Sequence, residues 1–126
     1  MSSQEPDPSL SELKQELNRL HRSIRLTIER HLSRLEGTCG QTLETNQTTA
    51  ASIHQLLDRY GLRTQCPECG NPAILRVSPR RGMARGVFVY DHHVNGKRTF
   101  HGGRSVFPAI KLVEKPPRKS HDASRS

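Results

Sequence analysis

Cys66-Pro67-Glu68-Cys69-Gly70 organises the chain, because two thiols separated by two residues can reach one metal ion. The proline fixes one backbone angle of the turn between the thiols, and the glycine permits the positive φ that a metal knuckle needs after its second thiol. A structural zinc ion takes four protein ligands. The stretch therefore supplies half of a site, and two ligands must come from elsewhere.

The composition of the 126-residue chain predicts a small core that needs support from a metal, from oligomerisation or from both. Hydrophobic residues make up 32% of the chain, and it contains no tryptophan. The formal net charge is +8 at pH 7, which suits a polyanionic partner such as nucleic acid or an acidic protein surface. A basic protein that is merely soluble is the alternative.

The positive charge belongs to one half of the chain. Residues 1–61 contain seven Lys and Arg against eight Asp and Glu, a balance of −1. Residues 62–126 contain thirteen against four, a balance of +9. The basic half thus begins at the cysteine pair, and we place a domain boundary there.

Cysteine usage and hydropathy predict a soluble, intracellular, cytoplasmic protein. The sequence has no apolar run approaching 18 residues and no signal-peptide hydrophobic stretch. Three cysteines, an odd number with two in knuckle spacing, fit a reducing compartment better than a disulfide scaffold. We expect neither a membrane partner nor a small-molecule substrate.

The first half of the chain opens with a predicted disordered arm over residues 1–8, followed by a helix. Ser9 is expected to cap this helix, with Glu12 completing a capping box, and Gly37 to end it. Apolar residues spaced three and four apart form a seam like that of a packed or coiled helix. The seam consists of Leu10, Leu13, Leu17, Leu20 and Ile24.

A second helix is predicted to begin with a cap at Thr38, so residues 9–61 form a coiled-coil-like helical hairpin. A single bent helix is the alternative, because Gly37 and Gly40 flank the break. The second seam consists of Leu43, Asn46, Ala50, Ile53, Leu57 and Tyr60. Two narrow seams bury little apolar surface, which favours a homodimer through this segment, with plain intramolecular packing as the alternative.

The second half predicts a small antiparallel β module over residues 62–113, which makes the fold class α+β. Its three to four short strands are expected within residues 73–77, 86–94, 97–101 and 109–113. Asn95-Gly96 is a strong signal for a two-residue hairpin turn. Residues 114–126 have the composition of a disordered basic tail.

The register of this hairpin selects the histidines that can complete the metal site. With the turn fixed, His92 opposes Thr99 and Tyr90 opposes His101, all on one face, whereas His93 points to the other face. The two selected histidines are diagonal neighbours within reach of a shared ion. The predicted Zn²⁺ site is tetrahedral and is formed by Cys66, Cys69, His92 and His101.

Several other interpretations of these residues stay open. The cysteine pair could form a reduced turn without metal, or a redox pair, although no βαβ pattern surrounds it. His93 or His101 could contact a phosphate or face solvent. Cys39 could serve as a remote ligand if the helices fold back onto the knuckle.

The five-residue stretch resembles the knuckle of zinc-ribbon and related zinc-finger proteins. This resemblance implies a zinc-bound β-hairpin module that serves as a contact platform for nucleic acid or protein. The chain departs from the usual ribbon by lacking a second Cys-x-x-Cys pair. The histidines are therefore needed as the remaining ligands.

The knuckle, followed by Tyr-Asp-His-His at residues 90–93 and Gly-Gly at residues 102–103, is also similar to the opening of HNH nucleases. That resemblance implies a general base at His92 with Asp91 beside it, and a divalent ion that clamps the scissile phosphate. Residues 104–113 offer no counterpart to the family's following helix with its Asn and metal-binding His.

The sequence thus predicts a non-enzymatic zinc-binding protein that binds DNA or RNA largely through phosphate contacts. The basic residues expected to make these contacts are Arg76, Arg80, Arg81, Arg85, Lys97, Arg98 and Arg104. A protein-interaction adaptor that acts through the coiled helices is the first alternative. A degenerate or divergent HNH-like nuclease is the second.

Overall fold

Two helices precede a five-stranded antiparallel sheet in the computed structural model, which describes residues 7–117. The predicted α+β class is confirmed. Most of the predicted arm and tail, residues 1–6 and 118–126, lies outside the described residues. The elements in chain order are α1 (Pro8–Ser33), α2 (Leu43–Arg59), β1 (Leu62–Gln65), β2 (Pro72–Arg80), β3 (Met83–Val94), β4 (Lys97–Arg104) and β5 (Leu112–Glu114).

Helix α1 begins earlier than the sequence pattern indicated. Asp7, not Ser9, is its N-cap, and the Oδ1 atom of Asp7 accepts a hydrogen bond from the backbone N–H of Ser9 at 2.9 Å. Pro8 occupies the first turn, where its missing N–H has no helical partner to lose. An aspartate cap followed by proline is the stronger start signal, and Pro8 therefore belongs to the helix rather than to the arm.

A turn and loop over residues 34–42 separate α1 from α2, so residues 7–61 form two helices rather than a single bent one. The backbone of this connection pairs with Phe107. The Gly37 N–H donates to the Phe107 carbonyl at 2.8 Å, and the Phe107 N–H donates to the Thr38 carbonyl at 2.7 Å. Thr38 is consequently not a helix cap, and Thr42 caps α2 instead.

The strands lie in the order β4-β3-β2-β1-β5, and every neighbouring pair is antiparallel. The sheet has five strands, more than the three to four that the pattern indicated. The additional one is β1, whose four residues are too few for a clear alternation signal. β2 and β3 are also longer than predicted, because they extend to a tight turn at Arg81-Gly82.

Helix α2 packs on one face of the sheet, called here the inner face. The inner face carries Leu75, Val77, Phe88 and Tyr90. The ring of Phe107 meets that of Phe88 edge-on, with centroids 5.5 Å apart. The apolar side of α2 that closes this core consists of Ala50, Ile53 and Leu57. The opposite, outer face of β2–β4 carries Arg76, Val89, Asp91, His93, Arg98 and Phe100.

Helix α1 joins the core only through its second half. Leu32 is buried, and the Glu29 carboxylate accepts a hydrogen bond from the Leu112 N–H of β5 at 2.9 Å. The seam leucines of the first half, Leu10, Leu13, Leu17 and Leu20, are 44% to 55% exposed. Within residues 7–117, this half of the seam contributes no residue to the buried core. Neither described helix combines the length and apolarity that crossing a bilayer requires.

Candidate metal centre

The knuckle is a closed turn between β1 and β2. The Cys66 N–H donates to the Asn71 carbonyl at 2.9 Å, and the Gly70 N–H donates to the Cys66 carbonyl at 2.7 Å. Gly70 has φ of 78°, the left-handed conformation for which glycine is suited. Backbone hydrogen bonds thus hold both thiols on one side of the turn, with Cys66 fully buried and Cys69 exposed.

The β3–β4 hairpin has the predicted register. Asn95 and Gly96 have φ of 55° and 79°, as a two-residue type I′ turn requires. His92 lies opposite Thr99, and His101 lies two positions further along β4 on the same face. The two imidazole rings are neighbours, with centroids 5.0 Å apart and planes inclined by 75°.

The structure brings the four predicted side chains into one cluster. The ligand atoms of Cys66, Cys69, His92 and His101 all lie within 4.8 Å of one another. The Cys69 sulfur is 3.0 Å from His92 Nε2, and the Cys66 sulfur is 3.3 Å from His101 Nδ1. Tetrahedral ligands on a zinc ion are about 3.5 Å apart, given Zn–S and Zn–N bonds of about 2.3 and 2.0 Å. The cluster could therefore hold a metal ion.

Two contacts around the cluster orient its ligands. His92 Nδ1 lies 3.0 Å from the Thr99 carbonyl oxygen, so the N–H at Nδ1 donates and Nε2 presents its lone pair to the centre. The side-chain amide of Asn71 donates to the Cys69 sulfur at 3.3 Å. Such outer contacts hold metal ligands in position before an ion binds.

The two thiols differ in acidity because their surroundings differ. Burial raises the pKa of the Cys66 thiol. The pKa of Cys69 is lowered to about 6, mainly because the backbone N–H of Asn71 donates to the sulfur, with further help from His92. Cys69 is thus a thiolate at neutral pH, which is the form that binds metals.

No protein-family model, curated protein or solved structure matches this chain. The resemblances to zinc-ribbon knuckles and HNH nucleases accordingly stay predictions.

Two residues considered as alternative ligands lie outside the cluster. His93 is exposed on the outer face, opposite Arg98 of β4. Cys39 lies in the connection between the helices, where its sulfur accepts a hydrogen bond from the Asn46 side-chain amide at 3.3 Å. Neither side chain belongs to the group of ligand atoms that includes the knuckle thiols.

Two of the predicted nucleic-acid contacts meet at a buried carboxylate on the outer face. Arg76 Nε lies 2.6 Å from Asp91 Oδ2, and an Nη atom of Arg98 lies 2.8 Å from the same oxygen. Hydrogen bonds from both arginines lower the pKa of the Asp91 carboxyl group, and the one from Arg98 has the larger effect. One carboxylate thus faces two guanidinium groups that are about half exposed, which leaves positive charge on this surface.

The other five predicted contacts are dispersed. The side chain of Arg80 on β2 extends across β3 towards β4. Its guanidinium would lie 3.4 Å from a Cβ added at Gly103 of β4. In the register of β3 and β4, Lys97 lies opposite Val94 and Arg104 lies opposite Phe88, both on the inner face. Arg81 lies in the turn after β2 and Arg85 lies on β3. The structure thus gathers Arg76 and Arg98 and does not bring all seven residues together.

Three supporting residues of the metal cluster were not among the sequence-predicted site residues. Thr99 and Asn71 contribute the contacts described above, and the Glu68 carboxylate accepts a hydrogen bond from the Gly102 N–H at 2.9 Å, linking the knuckle to β4. The register alone identifies Thr99 as the cross-strand partner of His92. No sequence pattern predicts the contact of Glu68 with Gly102, because these residues are 34 positions apart.

Proposed function

We propose that this protein is a non-enzymatic zinc-binding module that binds nucleic acid largely through phosphate contacts, with its first helix serving for dimerisation. The convergence of four metal-binding side chains from the knuckle and the β3–β4 hairpin carries this proposal. The basic outer face and the exposed leucine seam support its other two parts.

Zinc fits the donor set better than the other common metals. A donor set of two cysteine sulfurs and two imidazoles favours Zn²⁺, whereas Mg²⁺ and Ca²⁺ require oxygen ligands. Four protein ligands would complete the coordination and leave no position for a substrate or water, as in structural sites. The ion would then fasten the knuckle to the hairpin and stabilise the fold.

The surroundings of His92 support a role without catalysis. Its Nδ1 is hydrogen-bonded to a carbonyl and its Nε2 faces the Cys69 sulfur, so neither nitrogen is placed to accept a proton from water. Asp91 is turned to the outer face, where two arginines hold its carboxylate. A nuclease of HNH type needs this histidine as a general base.

The charge distribution supports nucleic acid as the partner. The half of the chain that contains the sheet has a formal balance of +9. Arg76 and Arg98 keep 49% and 57% of their side-chain surface exposed while they share one carboxylate. Guanidinium groups in this arrangement can contact phosphates without reading base sequence.

The exposed seam of α1 supports pairing with a second copy of the chain. Its leucines follow the spacing of a coiled-coil seam, and identical seams are complementary to each other. Burying the exposed half of each leucine would contribute about 1 kcal/mol. Four such residues on each of two copies, Leu10, Leu13, Leu17 and Leu20, form the proposed contact.

A salt titration tests the nucleic-acid part of the proposal. Fluorescence anisotropy of labelled DNA with the zinc-loaded protein should give an affinity that falls steeply as salt rises, because phosphate contacts release counterions. Arg98→Ala should weaken binding and reduce the slope of log K against log[salt] by about 1. Arg22→Ala, an exposed arginine of α1, is the matched control and should bind as the wild type does. A flat salt response would contradict the proposal.

The same leucine seam favours one other function, that of an adaptor that binds a different protein. In that case, the seam takes the partner's helix, and the basic face contributes only solubility. A pull-down whose captured protein survives nuclease treatment and is lost on Leu17→Glu would favour the adaptor. A dimer in the purified protein, with nucleic-acid binding, favours the function proposed first.

A further inference from the structure

The outer face carries one exposed aromatic side chain beside its arginines. Phe100 lies opposite Asp91 in the register of β3 and β4, and it is 52% exposed. The guanidinium carbon of Arg98 lies 5.1 Å from the centroid of its ring. Phe100 thus contacts Arg98, one of the two arginines that hold Asp91.

A groove runs along this face, and Arg98 both lines this groove and contacts the Phe100 ring. Its volume is about 630 Å³, and the residues that line it include Arg63, Arg76, Asp91, His93 and Arg98. Arg63 is paired with Asp58 at 3.0 Å. Arg76 and Arg98 share the single carboxylate of Asp91, which leaves a net positive charge in the groove that suits phosphate groups.

We propose that this groove binds single-stranded nucleic acid, with a base stacked on Phe100 and phosphates contacting Arg76 and Arg98. The inference rests on the nucleic-acid binding proposed above and specifies its strand state and its surface. Bases of a duplex are stacked on one another, and an aromatic ring on a sheet cannot reach their faces. A single strand can splay out its bases, which then stack on exposed aromatic side chains while cationic groups follow the backbone.

The chain's lack of tryptophan gives this proposal a direct spectroscopic test. Phe100→Trp would place a single indole at the stacking position. Its fluorescence should be quenched when an unstructured 20-nucleotide DNA or RNA is added, and unchanged by a duplex of the same length. Quenching by DNA and RNA alike, or by RNA more strongly, supports the proposal, and the difference would show whether the 2′-hydroxyl is contacted.

Affinity measurements with the zinc-loaded full chain complete the test. Phe100→Ala should weaken single-strand binding about tenfold, because stacking on one base contributes about that much. The Phe100→Ala variant should bind a duplex as the wild type does. The Phe100→Tyr variant keeps an aromatic ring and should bind single strands with the wild-type affinity. Leu56→Ala, an exposed apolar residue of α2, is the matched control and should bind normally. Zinc content and circular dichroism establish that each variant is folded.

The outcomes separate this inference from the function on which it rests. If both strand forms bind with a steep salt dependence and Phe100→Ala changes neither, nucleic-acid binding stands and the stacking inference is overturned. Equal or tighter binding of the duplex, with no quenching in Phe100→Trp, overturns it as well. If neither form binds, the proposed function fails and the inference fails with it.

Discussion

The Nδ1 atom of His92 lies 3.0 Å from the carbonyl oxygen of Thr99, its partner across the β3–β4 hairpin. This contact assigns the proton to Nδ1 and directs Nε2 to the cluster. His101 differs, because its Nδ1 is the atom that faces the Cys66 sulfur at 3.3 Å. The two histidines should therefore bind one metal ion through different nitrogens.

Zinc analysis with paired histidine variants tests this cluster. The wild-type protein should keep one zinc ion per chain through gel filtration. The His101→Ala variant should not, because three ligands hold the ion less tightly than four. His93→Ala removes a neighbouring imidazole on the other face and should keep its zinc. In the wild-type protein, ¹⁵N NMR should show metal bound at Nε2 of His92 and at Nδ1 of His101. Full zinc retention in His101→Ala would exclude that residue as a ligand.

The unequal thiol acidities predict unequal alkylation of the zinc-free protein. Cys69, with its pKa lowered to about 6, should react with iodoacetamide half-maximally near that pH, because the thiolate predominates above it. The pKa of Cys66 is raised by burial, so this thiol should react only at more alkaline pH. Mass spectrometry of digested samples across pH measures both rates. Equal rates at neutral pH would contradict the assignment, and bound zinc should protect both sulfurs.

Gly86 on β3 and Gly82 in the preceding turn allow a matched comparison of how an added methyl group changes the stability of the fold. Gly86 and Gly82 have nearly equal φ, 77° and 78°. A Cβ at Gly86 would lie 2.6 Å from Leu43 Cδ1 and 2.9 Å from Val77 Cγ1, whereas a Cβ at Gly82 meets nothing within 4 Å. Gly82→Ala should cost about 1 kcal/mol of unfolding free energy through backbone strain alone. Gly86→Ala should cost about 1–3 kcal/mol more through overpacking, measured by urea unfolding.

The exposed seam of α1 predicts the oligomeric state. Sedimentation equilibrium should show a dimer, and Leu17→Glu should convert it to a monomer, because it would place two carboxylates in the shared seam. Leu56→Glu, on the exposed side of α2, should leave the dimer intact. A wild-type protein that stays monomeric at high concentration would refute pairing through this seam.

The predictable part of the fold depends on short sequence separations. Asn95-Gly96 fixed the turn, and the alternation of strand residues then placed His92 and His101 on one face, as the structure has them. The helix starts were less predictable, because several residues near each start can cap. Asp7 competes with Ser9, and Thr42 competes with Thr38.

The knuckle turn, the hairpin register and the basic character of the second half could all be predicted from the amino-acid sequence, since each follows from neighbouring residues or from composition. Three features are visible only in the folded chain: the knuckle lies against the hairpin, Arg76 joins Arg98 at Asp91, and Phe100 is exposed in contact with Arg98. These contacts depend on how β2 pairs with β3 and where α2 packs. Such pairings are set by the summed burial of distant residues, which no local pattern encodes.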